Sequence, residues 1–331
     1  MIAILSEGVI SAISKTPEVL KLHKLLWFAS EGRHALIPES DKEISGWLNT
    51  LDQPTRSAYE QALALSARTI ATLPNDIATV KITSSRAAIW RHPLAELGID
   101  DAIKLLEEPL GILLENAKND WHFLKRIMRS PERTRLQRAI DARWAEPLHG
   151  GGSDITQRLS ERTSTEPKRL RTFVLFDSDR RHPDELHPDW TPQPPEACQG
   201  FKTEIAVAHS GIGGYWRLNR RFIESYLPRQ ELVKAAPAKA DSISALFRLH
   251  QYGQWYFNIK KGFKDDAKIE NAHRAKDLYA NITHQDAQLL EDGIGSRIAN
   301  QYSTSDTIEF DWDSEARQEA LSAVPQLMRL L

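Results

Sequence analysis

Three carboxylates stand where two apolar runs end. Glu115 directly follows Leu110–Leu114 (LGILL), and Asp177 and Asp179 directly follow Thr172–Phe176 (TFVLF). Alternation along an extended segment puts Asp177 and Asp179 on the same side. Three acids gathered at one edge repel one another unless a cation sits among them. Oxygen-only donors of this kind suit Mg2+, with Mn2+ as the alternative, rather than zinc. The single cysteine, Cys198, excludes a cysteine-cluster zinc site and an intramolecular disulfide. His182, His187 and His209 lie near the acids in sequence, two of them in a proline-rich loop where exposed histidine is ordinary. Ser178 lacks the G-x-S-x-G elbow of a hydrolase nucleophile. The chain has no G-x-x-x-x-G-K-[ST] phosphate loop, so an ATPase is not expected within it.

The elements around these acids predict a parallel sheet. Leu110–Leu114 and Thr172–Phe176 read as strands buried on both faces, Ala145–Leu148 as a weaker strand and Ile205–His209 as a fourth. Helical segments fall between them: Asp120–Met128, a helix through Leu159 capped by Ser153 or Asp154, and Asn219–Tyr226, which stops at Pro228. Strand, helix, strand at these spacings argues for an α/β sheet with right-handed crossovers, and its C-terminal strand edge is where ligands bind. Residues 1–105 read as helical, from the spacing in Ile10–Phe28 and Thr55–Leu73, with turns at Gly46–Leu51 and Leu73–Asp76. Five prolines in His182–Pro195 mark a long loop. Gln230–Leu249 and most of the chain from Asp265 read helical, with Trp255–Ile259 as a strand or helix end, and no internal repeat is visible.

The order strand–Glu, glycine turn, strand–Asp-x-Asp resembles the Toprim domain of topoisomerases, bacterial primases and the OLD (overcoming lysogenization defect) family of nucleases. LLENAKNDWHFL, from Leu113 to Leu124, resembles the first Toprim motif, with Glu115 as the signature acid and Asp120 as a second acid. HGGG, His149 to Gly152, is similar to the glycine turn, and FVLFDSD, Phe173 to Asp179, to the Asp-x-Asp motif. LNRRFIESYLP, Leu218 to Pro228, resembles a helix of phage-defence Toprim proteins and gives Glu224 the place of its second Glu. Asn116 and Arg180 stand where many Toprims have glycine, and Phe222 where the helix motif has its first Glu.

The resemblance implies a Toprim-like, Rossmann-like catalytic domain over 106–262, between a helical N-terminal region (1–105) and a helical C-terminal extension (263–331). It implies a nuclease in which Glu115, Asp177 and Asp179 hold Mg2+, assisted by Asp120 and Glu224. Lys261, beside Lys260, takes the role of a late phosphate-stabilising lysine. An anti-phage effector working with a separate ABC- or SMC-type ATPase follows from the same likeness, with residues 1–105 as the docking region. The alternatives are a regulatory or scaffolding subunit with a degenerate Toprim domain, and a primase-like nucleotidyl transferase.

Charge adds a local argument. The chain carries a formal net charge of -2, yet Trp121–His182 holds 14 Lys/Arg against 8 Asp/Glu. Arg126, Arg129, Arg180 and Arg181 are the expected nucleic-acid contacts in that stretch. At 331 residues, with 41% hydrophobic and 27% charged, the chain is long enough for a buried core and reads as globular. No apolar run approaches the roughly 20 residues of a membrane span, and the first residues lack a signal peptide's basic start. A cytoplasmic protein is expected, and an oligomer is compatible with the sequence.

Overall fold

A computed structural model describes residues 1–73, 76–85, 87–194, 197–266, 277–307 and 309–331. The turn expected at Pro74 and Asn75, and part of the helical reading after Asp265, lie outside the described residues. The protein is α/β, with two four-stranded parallel sheets flanked by helices. The first sheet holds β1 (Ile2–Leu5), β2 (Ala35–Pro38), β3 (Thr79–Ile82) and β4 (Leu94–Leu97), ordered β2-β1-β3-β4. The second holds β5 (Leu110–Leu114), β6 (Ala145–His149), β7 (Thr172–Phe176) and β8 (Gly214–Arg217), ordered β6-β5-β7-β8.

Residues 1–105 are therefore not a helical module. They contain α1 (Val9–Ile13) and α2 (Val19–Ser30) between β1 and β2, then α3 (Asp41–Leu48) and α4 (Gln53–Ile70) between β2 and β3. Helix α5 (Ile99–Glu107) leads into the second sheet. The long helices dominate the sequence pattern, while each strand is four residues, too short for a period of two to stand out. The repetition of one strand order in both sheets was likewise invisible, because topology repeats here without repeating residues.

In the second sheet, α6 (Asn119–Ile127) and α7 (Ser130–Asp141) join β5 to β6, and α8 (Ile155–Arg162) and α9 (Glu166–Leu170) join β6 to β7. Helix α10 (Gln199–Ser210) stands between β7 and β8. The strand expected at Ile205–His209 is thus part of α10. Gly200, Thr203 and Val207 are its buried residues, at helical spacing, while Ile205 is exposed. The fourth strand is the short edge segment GYWR. Asn219–Tyr226 is not an α-helix; only Ile223–Tyr226 winds, as a 3-10 turn.

The C-terminal residues complete the core. Phe123 of α6 sits among the rings of Trp216, Tyr226, Tyr302 and Trp312. Glu319, on the helix Ser314–Met328, accepts from Trp216 Nε1 (2.8 Å), Tyr226 Oη (2.7 Å) and the Asn219 backbone (2.9 Å). One apolar cluster runs from Met1 to Leu331 through both sheets. Among the described residues no helix is long and apolar enough to cross a membrane.

Candidate active site at the edge of the second sheet

Strands β5 and β7 are neighbours, with Leu114 opposite Leu175, and every residue of both is buried. The chain turns one way from β5 to β6 and the other way from β7 to β8. The C-terminal ends of β5 and β7 therefore flank a topological switch point, where a crevice opens. Glu115 and Asp177 leave the sheet there.

Local chemistry fixes the surrounding turns. The Gly150 N–H donates to Leu114 O (2.6 Å), and a Cβ on Gly150 would lie 2.7 Å from that oxygen. Gly151 and Gly152 have positive φ, and the Gly152 N–H donates to the Glu115 carbonyl (3.1 Å). The glycine turn is thus folded against the end of β5. Asn116 Oδ1 accepts from the N–H groups of Lys118 (3.0 Å) and Asn119 (3.1 Å), turning the chain into α6 without the glycine of the resembling motif. Asp120, buried in the first turn, accepts from the Asn116 N–H (2.8 Å).

The Asp-x-Asp loop is held as closely. Asp177 accepts from the Ile223 N–H (3.0 Å), which ties β7 to the segment bearing Glu224. Asp179 adopts φ 54, unusual for a non-glycine residue, and accepts from the Gly200 N–H (2.8 Å) at the start of α10. A Cβ on Gly200 would meet Ser178 O at 2.1 Å, so only glycine allows this approach. Ser178 is fully buried and donates to Arg220 O (2.8 Å), a structural bond.

Glu224 is 2% exposed, and its Oε1 lies 3.2 Å from Lys260 Nζ. Lys260 also sits 4.6 Å over the Phe222 ring. The buried oxygens Glu115 Oε1 and Glu224 Oε2 have no hydrogen-bond partner. Burial pushes the Glu115 carboxyl well up, and Asp177, Asp179 and Asp120 push it further. Asp177 is also well above its usual range, through burial and the charges of Glu224, Asp120 and Asp179, against the pull of Lys260. Burial and Glu224 raise Asp120 to about 7, against its backbone hydrogen bonds and Lys260. Burial raises Asp179 despite the Gly200 N–H, Arg221, Lys260 and Arg180. Burial works against the Lys260 charge, but Glu224, Asp177 and Asp179 outweigh it and raise this lysine.

These four elevated carboxyls, with Glu224 beside them, form an electrostatically linked set answered directly by Lys260. Among the described residues, no group of three or more His, Cys, Asp or Glu side chains stands placed to hold a metal ion. The donor set is nevertheless of the hard-cation kind. It is all oxygen, two of its buried oxygens lack hydrogen bonds, and its mutual repulsion is what a divalent ion would relieve. By donor type alone, such a set belongs to the class that takes Mg2+ or Mn2+.

Other expected residues lie elsewhere. Lys261 is exposed, its backbone N–H bonded to Asn258 Oδ1, and Lys260 is the lysine that reaches the acids. Doubled lysines in a turn cannot be separated by sequence pattern. Arg126 is structural: its guanidinium donates to the carbonyls of Tyr302, Ser305 and Thr307 and lies 4.7 Å over Phe310. Arg180, 1% exposed, donates to Glu185 O (2.8 Å), Cys198 Sγ (3.0 Å) and Glu204 Oε2 (2.7 Å), and stacks 4.5 Å over Trp190. Arg180 is buried away from any groove, and Arg126, which lines the cleft between α6 and α7, spends its donors on those carbonyls. Arg129 is exposed and paired with Glu132. The Arg181 N–H bonds Glu185 Oε2 (2.8 Å) in the proline-rich loop. His182 and His187 lie against Asp184 and Asp189, and His209 against the Ile205 carbonyl, all apart from the acids. The buried Arg221, whose charge favours the ionised form of Asp179, was missed. Its position within NRRFIE was the only available signal.

No protein-family model, curated protein or solved structure matches the chain.

Proposed function

We propose that the protein is a metal-dependent phosphodiesterase of Toprim type that hydrolyses DNA or RNA, acting as an anti-phage effector with a separate ATPase partner. The observation that carries this reading is the gathering of Glu115, Asp120, Asp177, Asp179 and Glu224 around Lys260 at the β5–β7 switch point. Glu115, Asp177 and Asp179 would hold the ion. A bound Mg2+ would acidify a water and offset charge on the phosphate. Asp120 holds the Asn116 turn and so orients Glu115. Glu224 holds Lys260, whose ammonium stays charged and would face the phosphate oxygens. The partner rests on the family resemblance and on the absence of an ATP-binding motif in this chain.

A regulatory subunit with a degenerate site is the second reading, favoured by Asn116 and Arg180 standing where the resembling motifs have glycine. One experiment separates the two. Purified protein is incubated with plasmid, single-stranded DNA and tRNA, in Mg2+, Mn2+ or EDTA. The enzyme reading expects cleavage with metal and none in EDTA. No cleavage of any substrate, with the partner ATPase and ATP also supplied, sinks it.

A further inference from the structure

The acid edge continues into a basic cleft. The solvent face of α6 carries His122 and Lys125, with Lys118 at its N-cap, at spacings of four and three residues, a single stripe. Its opposite face, Asp120, Phe123, Leu124 and Ile127, is buried. Lys118 lies three residues after Glu115, so the stripe begins at the mouth of the carboxylate site. At about 1.5 Å per residue it reaches Lys125 roughly 10 Å further on. There a cleft of about 940 Å³ opens between α6 and α7, lined by His122, Lys125, Arg126, Arg133, Arg138 and Asp141 among others.

The charge there is one-sided. Lys125, Arg126, Arg133 and Arg138 face a single lining acid, Asp141, which accepts from Gln137. Arg126 gives its donors to carbonyls, and among the described residues Arg133 pairs with Glu309, itself 72% exposed, at 3.2 Å. Burial and the neighbouring cations Arg126 and Arg133 pull the Lys125 ammonium down, and His122 is lowered by burial and by Lys125, Arg126 and Lys118. A cluster whose members disfavour one another's charge is stabilised by an incoming anion.

We propose that this α6–α7 face is the track for a nucleic-acid phosphate backbone leading away from the carboxylate edge, with Lys118, Lys125 and Arg133 as its contacts. Its direction toward the acids rests on the nuclease reading; its binding does not. A polyanion is the occupant the charges favour, because the lining side chains bring four cations against the one acid Asp141. A phosphate backbone needs only cations along a groove.

The test is fluorescence anisotropy with labelled single-stranded DNA, duplex DNA and RNA, in EDTA across a salt series. Wild type is compared with K125E/R133E, with the charge-preserving K125R/R133K, and with Asp177→Ala. K125E/R133E should bind at least about ten-fold more weakly, and its log–log salt slope on duplex should flatten by about 1.8, or 0.9 per lost contact. K125R/R133K should bind as wild type does, and Asp177→Ala, which removes an acid and no cation, should bind no more weakly. Equal affinity and slope for K125E/R133E overturns the track, as does a wild type that binds no nucleic acid. Should K125E/R133E melt early, the exposed Lys118→Glu substitution gives the same reading at half the slope change. A chain that binds through these residues yet never cuts keeps the track and sinks the nuclease. A chain that cuts while K125E/R133E binds normally sinks the track alone.

Discussion

The two sheets share one strand order and differ in what they carry at the switch point. In the second, β5 and β7 end in Glu115 and Asp177. In the first, the equivalent strands β1 and β3 end in Ser6 and Thr83, with the Ser6 N–H bonded to Ile82 O (3.0 Å). The sheets also differ in cover. Every residue of β5 and β7 is buried, whereas β3 and β4 alternate, with Val80, Ile82, Ala95 and Leu97 buried and Thr79, Lys81, Leu94 and Glu96 partly exposed. Topology supplies a crevice twice, and residue chemistry makes a site of only one of them. Neutral hydroxyls at the first edge carry no like-charge repulsion, although the buried Ser6 Oγ has no hydrogen-bond partner. Mutually repelling acids at the second destabilise the fold there, an arrangement that functional sites tolerate and plain scaffolds do not require.

The sharpest way to break this comparison is to exchange the roles of the two edges. Glu115→Ala and Asp177→Ala should each lower metal-dependent cleavage by at least about a thousand-fold. Thr83→Ala should leave cleavage within about two-fold. Each variant should still melt cooperatively. Equal loss at Thr83 would mean the first sheet takes part in the chemistry, and wild-type rates at Glu115→Ala or Asp177→Ala would remove the second edge from it.

Lysine placement sharpens it next. Lys260 lies against Glu224, while Lys261 is exposed. Lys260→Gln should reduce cleavage about a hundred-fold with little change in binding in EDTA. Lys261→Gln should do neither. The reverse pattern would restore the lysine that the sequence alone suggests.

Strands flanking the acids were legible in the sequence because both-face burial writes unbroken apolar runs, LGILL and TFVLF, which point at the residues that follow. Four-residue strands such as TVKI and LAEL write almost nothing, so a whole sheet was read as helix. The apolar run IAVAH inside α10 imitated a strand, because five residues do not separate a period of 3.6 from a buried extended run. Carboxylates could be placed from the ends of strands. Arginines could not, because their long side chains settle by tertiary contact. Arg126 and Arg180 count as basic surplus in the sequence and as scaffold in the fold.

Arg180 gives a smaller effect with a clear sign. Its guanidinium is buried between Trp190 and Phe201 and paired to Glu204. Arg180→Gln should destabilise the protein by about 3 kcal/mol, through the lost pair and lost packing. The salt dependence of nucleic-acid binding should not change. A flattened salt slope at an unaltered melting temperature would instead make Arg180 a phosphate contact.

The smallest expected effect sets the two edges against each other through pH. At the second edge, the folded Asp120 carboxyl is raised to about 7 from a usual value of 3.8. Below about pH 4 both folded and unfolded chains hold that proton, and its contribution to stability is intact. As pH rises toward 7 the unfolded chain gives the proton up first, so stability falls across that window and levels off above it. Glu115, Asp177 and Asp179, raised in the same direction, extend the loss. At the first edge the sign reverses. The Lys81 ammonium, 2.9 Å from Glu39, holds that exposed carboxyl below its usual range, so its contribution is lost as pH falls. Melting temperatures in EDTA should therefore decline from about pH 5 to pH 7. Saturating Mg2+ should cancel the decline by favouring the ionised acids, and Asp177→Asn should shrink it without metal. Lys81→Gln should leave the decline untouched and affect only the acid limb. A melting temperature that rises over the same window in EDTA would mean the acids of the second edge are already compensated, and that the two edges differ in residue type but not in electrostatic strain.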